Sequence, residues 1–475
     1  MKNTESSKDT EEELFLDIDL HHGDTILPLH TSIVLFLMSY CDCKTFKTFL
    51  VVPEEGHKIP KEGFLPSNLV VSIISRKDLP GIVQSCRLPA VIEASGVFCR
   101  AGLAVVLRHI IQKTYSADPS RKDVLELLGF KKTCLKACAE VALQKVSPEK
   151  IYGHPLIIGW YQRVLQVQGV QKAAAASNIK FLHFLPVDSQ HQEHSTASSI
   201  EEEEKEIPEI HFLGGPRPTM TKLKDHGIEA AFAPHPCPSQ AIDWGSLPAE
   251  VRPAEGKMSS DRALRKQQQL NNILSVVTNM AKPSDTIVDF CSGGGHVGIV
   301  LAYMLPSCQI ILIENKEESL IRARDRSNGL GLTNIWFIQA NLDYFTGEFN
   351  IGVALHACGV ATDMVIEHCI AARAAFVICP CCYGFIQNTV KTTFPRSCRF
   401  QNVLSYKEHM VLCRFADQTA VQLPAERRQI GKNCMGLVDL DRAWAAEQHG
   451  YKAHVISMEP ESCSPKNNLI VGCLN

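Results

Sequence analysis

The sequence predicts an α/β protein whose second half is a doubly wound sheet, and three observations predict it. Apolar runs at 286–290, 309–314, 334–339, 349–355 and 375–378 alternate with helical stretches at 297–305, 316–329 and 361–372, which is the rhythm of a parallel sheet. A glycine turn carrying Gly293, Gly295 and Gly298 follows the first run, and acids stand near the ends of the first two runs, Asp289 and Glu314. Two late runs, 452–458 and 468–473, are separated by a Pro/Ser/Asn turn too short for a helix. They should pair as an antiparallel hairpin at the sheet edge.

The front of the chain reads differently. Residues 1–13 are polar and acidic, with neither the basic start nor the apolar core of a secretion signal, and are expected to be disordered. A strand at 14–20 precedes an apolar helix at 27–41 with Pro28 in its first turn. Extended runs follow at 45–52, 68–75 and 88–93, then an apolar-faced helix at 102–113. This makes 14–115 a small α/β unit. Helical spacing recurs at 123–145 and 155–175, within a segment 123–186. From 187 to 256 a run of six charged residues at 201–206 and repeated prolines argue for a linker with a few docked pieces. A helix at 257–280 then leads into the second domain, 257–475.

Bulk composition narrows the class of function. The chain has 475 residues, too many for one ordinary core. It is 45% hydrophobic and 21% charged, as a globular protein is. A net charge of −3 gives no strongly basic nucleic-acid footprint. No apolar run reaches membrane-spanning length, so no membrane partner is expected. The 19 cysteines are odd in number and scattered through apolar runs. They suit buried thiols of a reducing compartment, so a cytoplasmic location is expected.

The glycine loop admits two adenosine cofactors. Gly293, Gly295 and Gly298 fit G-x-G-x-x-G, the pyrophosphate cradle of dinucleotide-binding folds. Asp289, however, stands just ahead of the loop, where a carboxylate repels a pyrophosphate and suits the ammonium of a methionine moiety. Glu314 suits a pair of ribose hydroxyls. S-adenosylmethionine is therefore favoured; NAD and a bare turn are the alternatives. The hairpin favours the same cofactor, because five parallel strands closed by an antiparallel hairpin is the methyltransferase version of the sheet.

Ligands of such sheets lie at the carboxyl ends of the strands. Those ends supply Asp289, Cys291, Gly293 and Gly295, then Glu314, then Asn341 and Leu342 for the adenine edge. Asp343 is either part of that edge or a helix cap. The fourth and fifth strand ends supply His356, Cys381, Cys382 and Tyr383. His356 is a candidate base, or a group that orients the acceptor. Thr362 and Asp363 suit a helix cap and a first-turn acid. Cys381 or Cys382 can be read as a nucleophile or as small residues that let the loop pass close to a cofactor. The C-x-C-C spacing, with Cys358 upstream, is not a usual zinc knuckle, so no metal is expected.

Leu-His-Ala-Cys-Gly-Val-Ala-Thr-Asp at 355–363 and Cys-Pro-Cys-Cys-Tyr-Gly at 379–384 resemble a methyltransferase family with paired L-H-x-C-G-x-x-T-D and C-C-Y signatures. Arg265, Lys266, Gln267 and Gln268, and the loop at 289–298, belong to the same likeness. The resemblance implies a class I methyltransferase sheet over 257–475 and S-adenosylmethionine as methyl donor. A related signature in a transfer-RNA 2′-O-methyltransferase family leans the acceptor towards RNA, with a protein substrate left open. In the front, Leu-Pro-Ala-Val-Ile at 88–92 is similar to the strand entered by a cis-proline in thioredoxin-like and glutathione-transferase N-domains. Residues 155–164 are like the last long helix of the transferase helical domain. Front and back together resemble the glutathione S-transferase C-terminal domain-containing family. That implies a thioredoxin/GST-like N-terminal unit with a shortened helical part, acting as a docking module. Arg100, Ala101 and Gly102 stand where a glutathione transferase keeps an acid–hydroxyl pair, which argues against glutathione chemistry. A non-catalytic interaction protein with a relic cofactor pocket is the competing class.

Overall fold

The computed structural model describes residues 11–21, 24–53, 69–128, 214–238, 241–253 and 258–474. The chain divides into two compact units, one of residues 1–96 and 100–212, the other of 97–99 and 213–475. Among the described residues no helix is long and apolar enough to cross a membrane.

The first unit opens with β1 (Glu12–Asp17), a small hairpin of β2 (Asp19–His21) and β3 (Asp24–Ile26), α1 (Leu29–Cys41), β4 (Phe46–Val52) and β5 (Val71–Ser75). It continues with α2 (Gly81–Gln84), β6 (Ala90–Ile92), β7 (Phe98–Ala101), whose first two residues count with the second unit, α3 (Leu103–Ala117) and α4 (Lys122–Glu126). β1 and β4, and β4 and β5, pair in parallel, while β6 runs antiparallel to β1. The Leu88–Pro89 bond ahead of β6 is cis. Leu14, Leu16, Val34, Leu35, Val106 and Ile110 share one core.

β1 corrects the expectation of disorder through residue 13. Its ladder extends to Glu12 opposite Phe46, and the Glu12 carboxylate meets His109 at 2.6 Å and Lys113 at 2.8 Å. Burial opposes the charge, but these two partners pull the Glu12 pKa down to about 2. Of the helix expected at 123–145, α4 is the described part; the remainder and the helix expected at 155–175 lie outside the described residues.

The second unit contains α5 (Arg217–Asp225), α6 (Ser260–Met280), β8 (Thr286–Phe290), α7 (His296–Met304), β9 (Gln309–Glu314), α8 (Glu317–Gly329) and β10 (Ile335–Gln339). Then follow β11 (Ile351–Ala357), α9 (Ala361–Ala372), β12 (Ala375–Pro380), α10 (Cys398–Gln401), α11 (Tyr406–Ala416), α12 (Ala425–Glu447), β13 (Tyr451–Ser457) and β14 (Asn468–Leu474). Its strands lie in the order β13-β14-β12-β11-β8-β9-β10. β8 to β12 are parallel, and β14 runs antiparallel to both β12 and β13. The switch point falls between β11 and β8, where an α/β sheet opens a crevice at its carboxyl edge.

Part of the stretch expected to link the domains is packed into this unit. Leu223 of α5 joins a core with Tyr383, Met410 and Cys434. Val251 is buried among Leu270, Ile273 and Val297. Helices α10 to α12 have no counterpart in the sequence reading. α12 buries Asp439, Asp441 and Arg442 beside its apolar residues, so its inward face does not show a clean apolar stripe.

Candidate active site

The glycine loop is shaped by contacts that only glycine permits. Gly295 has φ +73°, and a Cβ there would stand 2.8 Å from Leu312 Cδ2 and 2.9 Å from Ala323 Cβ. A Cβ on Gly298 would overlap the Leu312 side chain. The head of α7 therefore rests directly on β9 and α8. Gly293 differs: its φ is +56°, yet a Cβ would meet nothing within 4 Å. That side of the loop is an open cradle.

Glu314 closes the cradle from the end of β9. Its Oε2 accepts the Gly293 amide at 2.9 Å and its Oε1 accepts the Lys316 amide at 2.9 Å. Each oxygen keeps a lone pair for a ligand hydroxyl. Arg326 donates to the Gly294 carbonyl at 2.9 Å and holds the loop from the other side. Ser292 Oγ and His296 Nδ1 in this loop, and Gln339 Oε1 at the end of β10, are buried without hydrogen-bond partners, each an unmet polar group that calls for an explanation. Burial, then Arg326 and Lys266, pushes the His296 pKa down to about 3, so its ring is neutral. Cys291 also has a positive φ, +54°. Burial and the Glu314 charge push its thiol up to about 12. Asn341 and Leu342 begin a short 3-10 turn at the end of β10, where the adenine-edge contacts were expected.

Asp289 needs a correction. It is 1% exposed, and its Oδ2 accepts the Gly298 amide at 2.9 Å. Burial raises its pKa to about 7. It holds α7 from behind rather than presenting a free carboxylate to an ammonium.

On the other side of the switch point, β11 and β12 end in two loops that are clasped together. The β11–β12 register shifts between Leu355 and Ala357. This bulge turns His356 outward at φ +84° while its neighbours stay buried. The Lys266 ammonium of α6 lies 3.2 Å from His356 Nε2. Although the outer edge of the ring is exposed, crowding by the protein and the Lys266 charge hold its pKa near 4. His356 is therefore a neutral imidazole at pH 7.

Gly359 donates its amide to the Cys382 carbonyl at 2.8 Å. A Cβ on Gly359 would lie 3.0 Å from the Phe385 backbone oxygen, so the loops can approach only with glycine there. Thr362 Oγ1 donates to the Ala357 carbonyl at 2.8 Å. Arg442 of α12 reaches in and donates to Asp363 at 2.7 and 3.2 Å, to Asp439 at 3.3 Å and to the Gly359 carbonyl at 3.0 Å. The second loop is held by Asp417, which accepts the Tyr383 and Gly384 amides at 3.1 and 2.6 Å and pairs with Lys466 at 2.8 Å.

Two expectations change here. Tyr383 is 0% exposed, and its hydroxyl donates to Asp439 at 2.6 Å, so it anchors the loop and cannot touch an acceptor. Cys381 and Cys382 are not activated nucleophiles. Burial and the neighbouring thiols raise both pKa values, the opposite of what a thiolate requires. Cys379 is buried and apart, its thiol on the Lys466 carbonyl at 3.5 Å. Lys266 and His296 stand in the sequence only as members of motifs, and Asp417, Arg442 and Lys466 are not visible in it as site residues. Lys266 was detectable: it sits nearly two turns from the start of a helix whose end leads into β8. The others had no local signal, because their partners lie in distant parts of the chain.

A family model described as a methyltransferase domain matches residues 265–389. The chain is 54% identical to the glutathione S-transferase C-terminal domain-containing protein of Xenopus laevis, over 97% of this chain and 99% of that one. It is 49% identical to the one from Homo sapiens, over 99% of this chain and 100% of that one. These alignments run over 613 and 636 positions against 475 residues here, so both relatives carry internal segments that this chain lacks. Among solved structures, magnesium protoporphyrin IX methyltransferase from Synechocystis with bound SAH shares 13% identity over 46% of this chain and 88% of that one, with a TM-score of 0.28.

Proposed function

Because the chain belongs to the glutathione S-transferase C-terminal domain-containing protein family, we propose that its second unit is an S-adenosylmethionine-dependent methyltransferase. One observation carries the reading: the open cradle at Gly293 lies directly above the Glu314 carboxylate. The residues around it fit the cofactor. Glu314 has lone pairs for ribose hydroxyls, Asn341 and Leu342 at the end of β10 would meet the adenine edge, and the unmet polar atoms of Ser292, His296 and Gln339 lack partners. When bound, the cofactor supplies a methyl group on a sulfonium.

His356 then serves the acceptor. To act as base, the ring's lone-pair nitrogen Nε2 exchanges its hydrogen bond from Lys266 for one from an acceptor hydroxyl or amine, and takes that proton as the new bond to carbon forms and the sulfonium–carbon bond breaks. A weak base suffices, because the acceptor atom becomes strongly acidic as it is alkylated. Burial, and after it the Lys266 charge, keep the ring from picking up a proton beforehand. We place RNA first among acceptors, on the likeness of the paired signatures to a transfer-RNA 2′-O-methyltransferase family, and a protein second. The first unit we propose as a thioredoxin-like docking module. Arg100 is buried and ion-paired to Glu93 at 2.9 Å, which supports docking over glutathione chemistry.

Calorimetric titration of the full chain with S-adenosylhomocysteine tests the cofactor. Binding is expected, weakened about 10- to 100-fold in Glu314→Gln, since a hydrogen bond to a charged group contributes about 1.5–3 kcal/mol. No heat of binding to the unaltered chain sinks the reading. Labelling a cell extract with methyl-tritiated cofactor separates the acceptors; label in neither RNA nor protein would leave only a relic pocket.

A further inference from the structure

We propose that Cys358, Cys381 and Cys382 form a binding site for a thiophilic divalent cation, zinc first, with three thiolate ligands and a fourth position open to solvent. Among the described residues these three bring their sulfur atoms within 4.8 Å of one another. Cys358 Sγ lies 2.8 Å from Cys381 Sγ, and Cys381 Sγ lies 3.6 Å from Cys382 Sγ. Tetrahedral zinc with bonds of about 2.3 Å to sulfur needs sulfur–sulfur edges of about 3.8 Å. Small rotations of the three side chains meet that requirement.

The backbone bearing the thiols is set in advance. The Gly359–Cys382 hydrogen bond ties the two loops together beside Cys358. Asp417 fixes the chain immediately after Cys382 through two amides. Such support from residues behind the ligands is what metal sites use to hold geometry. Cys358 is exposed and the other two are half-buried, so an ion can enter and the fourth position faces outward. This departs from the expectation of no metal. The ligands come from two adjacent strand ends rather than from one local knuckle, so spacing along the chain does not show them.

The full chain, stripped of metal under reducing conditions, is titrated with cadmium and then with zinc. A sulfur-to-cadmium charge-transfer band that saturates stoichiometrically, and zinc released to a chromophoric chelator afterwards, are expected. Cys358→Ser and Cys382→Ser should each lose the band, while Cys473→Ser, exposed and elsewhere, keeps it; circular dichroism confirms that each variant is folded. Absence of the band, its persistence in folded Cys358→Ser, or recovery of a Cys358–Cys381 cross-linked peptide from the isolated protein would each overturn the proposal. The measurement reads metal alone, so its failure and failure of the methyltransferase reading are separate results.

Discussion

The two halves of the second unit's carboxyl edge are built on opposite plans. On the β8–β10 side the loop is shaped by glycine contacts and backbone amides, and its polar atoms at Ser292, His296 and Gln339 are left unmatched. On the β11–β12 side the loops are tied to ion pairs: buried Asp363 and Asp439 to Arg442, and half-buried Asp417 to Lys466. A face that must take up and release a ligand benefits from polar groups that find partners only when the ligand arrives. A face that must present reacting groups within a fraction of an ångström benefits from a rigid frame. Under the proposed function, the difference suits the first side to the cofactor and the second to the acceptor.

The strongest way to break that comparison is to remove the frame. Arg442→Met leaves Asp439 buried without its cation and Asp363 with only the longer Arg396 pair at 3.5 Å, a loss expected to cost about 3–5 kcal/mol. Urea denaturation should show the fall in midpoint. The folded fraction should still bind S-adenosylhomocysteine but lose methyl transfer. If binding is lost in parallel with transfer, the two sides are one cooperative element and the division fails.

Much of the cofactor side was legible because its signals are local. The strand, the glycine turn and Glu314 lie close together in the chain, and their order alone implies a crevice. Asp289 was misread for a related reason: its position was right, but its burial depends on how α7 seats on β9 through Gly295 and Gly298. The acceptor side was legible only as a motif. Nothing in the stretch 355–384 reveals that Tyr383 points inward to Asp439, since that partner lies on α12, whose mixed inward face hid the helix itself. The buried start of β1 at Glu12 was hidden likewise, because its stabilising partners His109 and Lys113 are a domain's length away.

His356 sharpens the comparison in a second way. Its pKa is lowered to about 4 from an ordinary 6.5, so it is neutral, and able to accept a proton, at every pH above about 5. The methyl-transfer rate should therefore stay flat from pH 8 down to 5 on its account. His356→Ala should lower turnover about 100-fold or more with little change in S-adenosylhomocysteine affinity. A fall in rate centred near pH 6.5 in the unaltered chain would show that burial and Lys266 do not hold the ring neutral.

The smallest expected effect separates shape from space on the cofactor side. Gly295→Ala forces a Cβ against Leu312 and Ala323 at a positive φ. Strain and overpacking together should cost about 2–4 kcal/mol of stability. Gly293→Ala has the same kind of backbone but open space before it, so its stability cost should stay near 1 kcal/mol. Its methyl group, however, would project into the cradle above Glu314, and S-adenosylhomocysteine affinity should fall about 10-fold, or about 1.4 kcal/mol. Thermal melts and calorimetry on the two variants read these quantities separately. The cradle assignment requires Gly293→Ala to lose more in binding than in stability, and Gly295→Ala the reverse. Equal behaviour would mean that the space in front of Gly293 is solvent rather than a ligand's place.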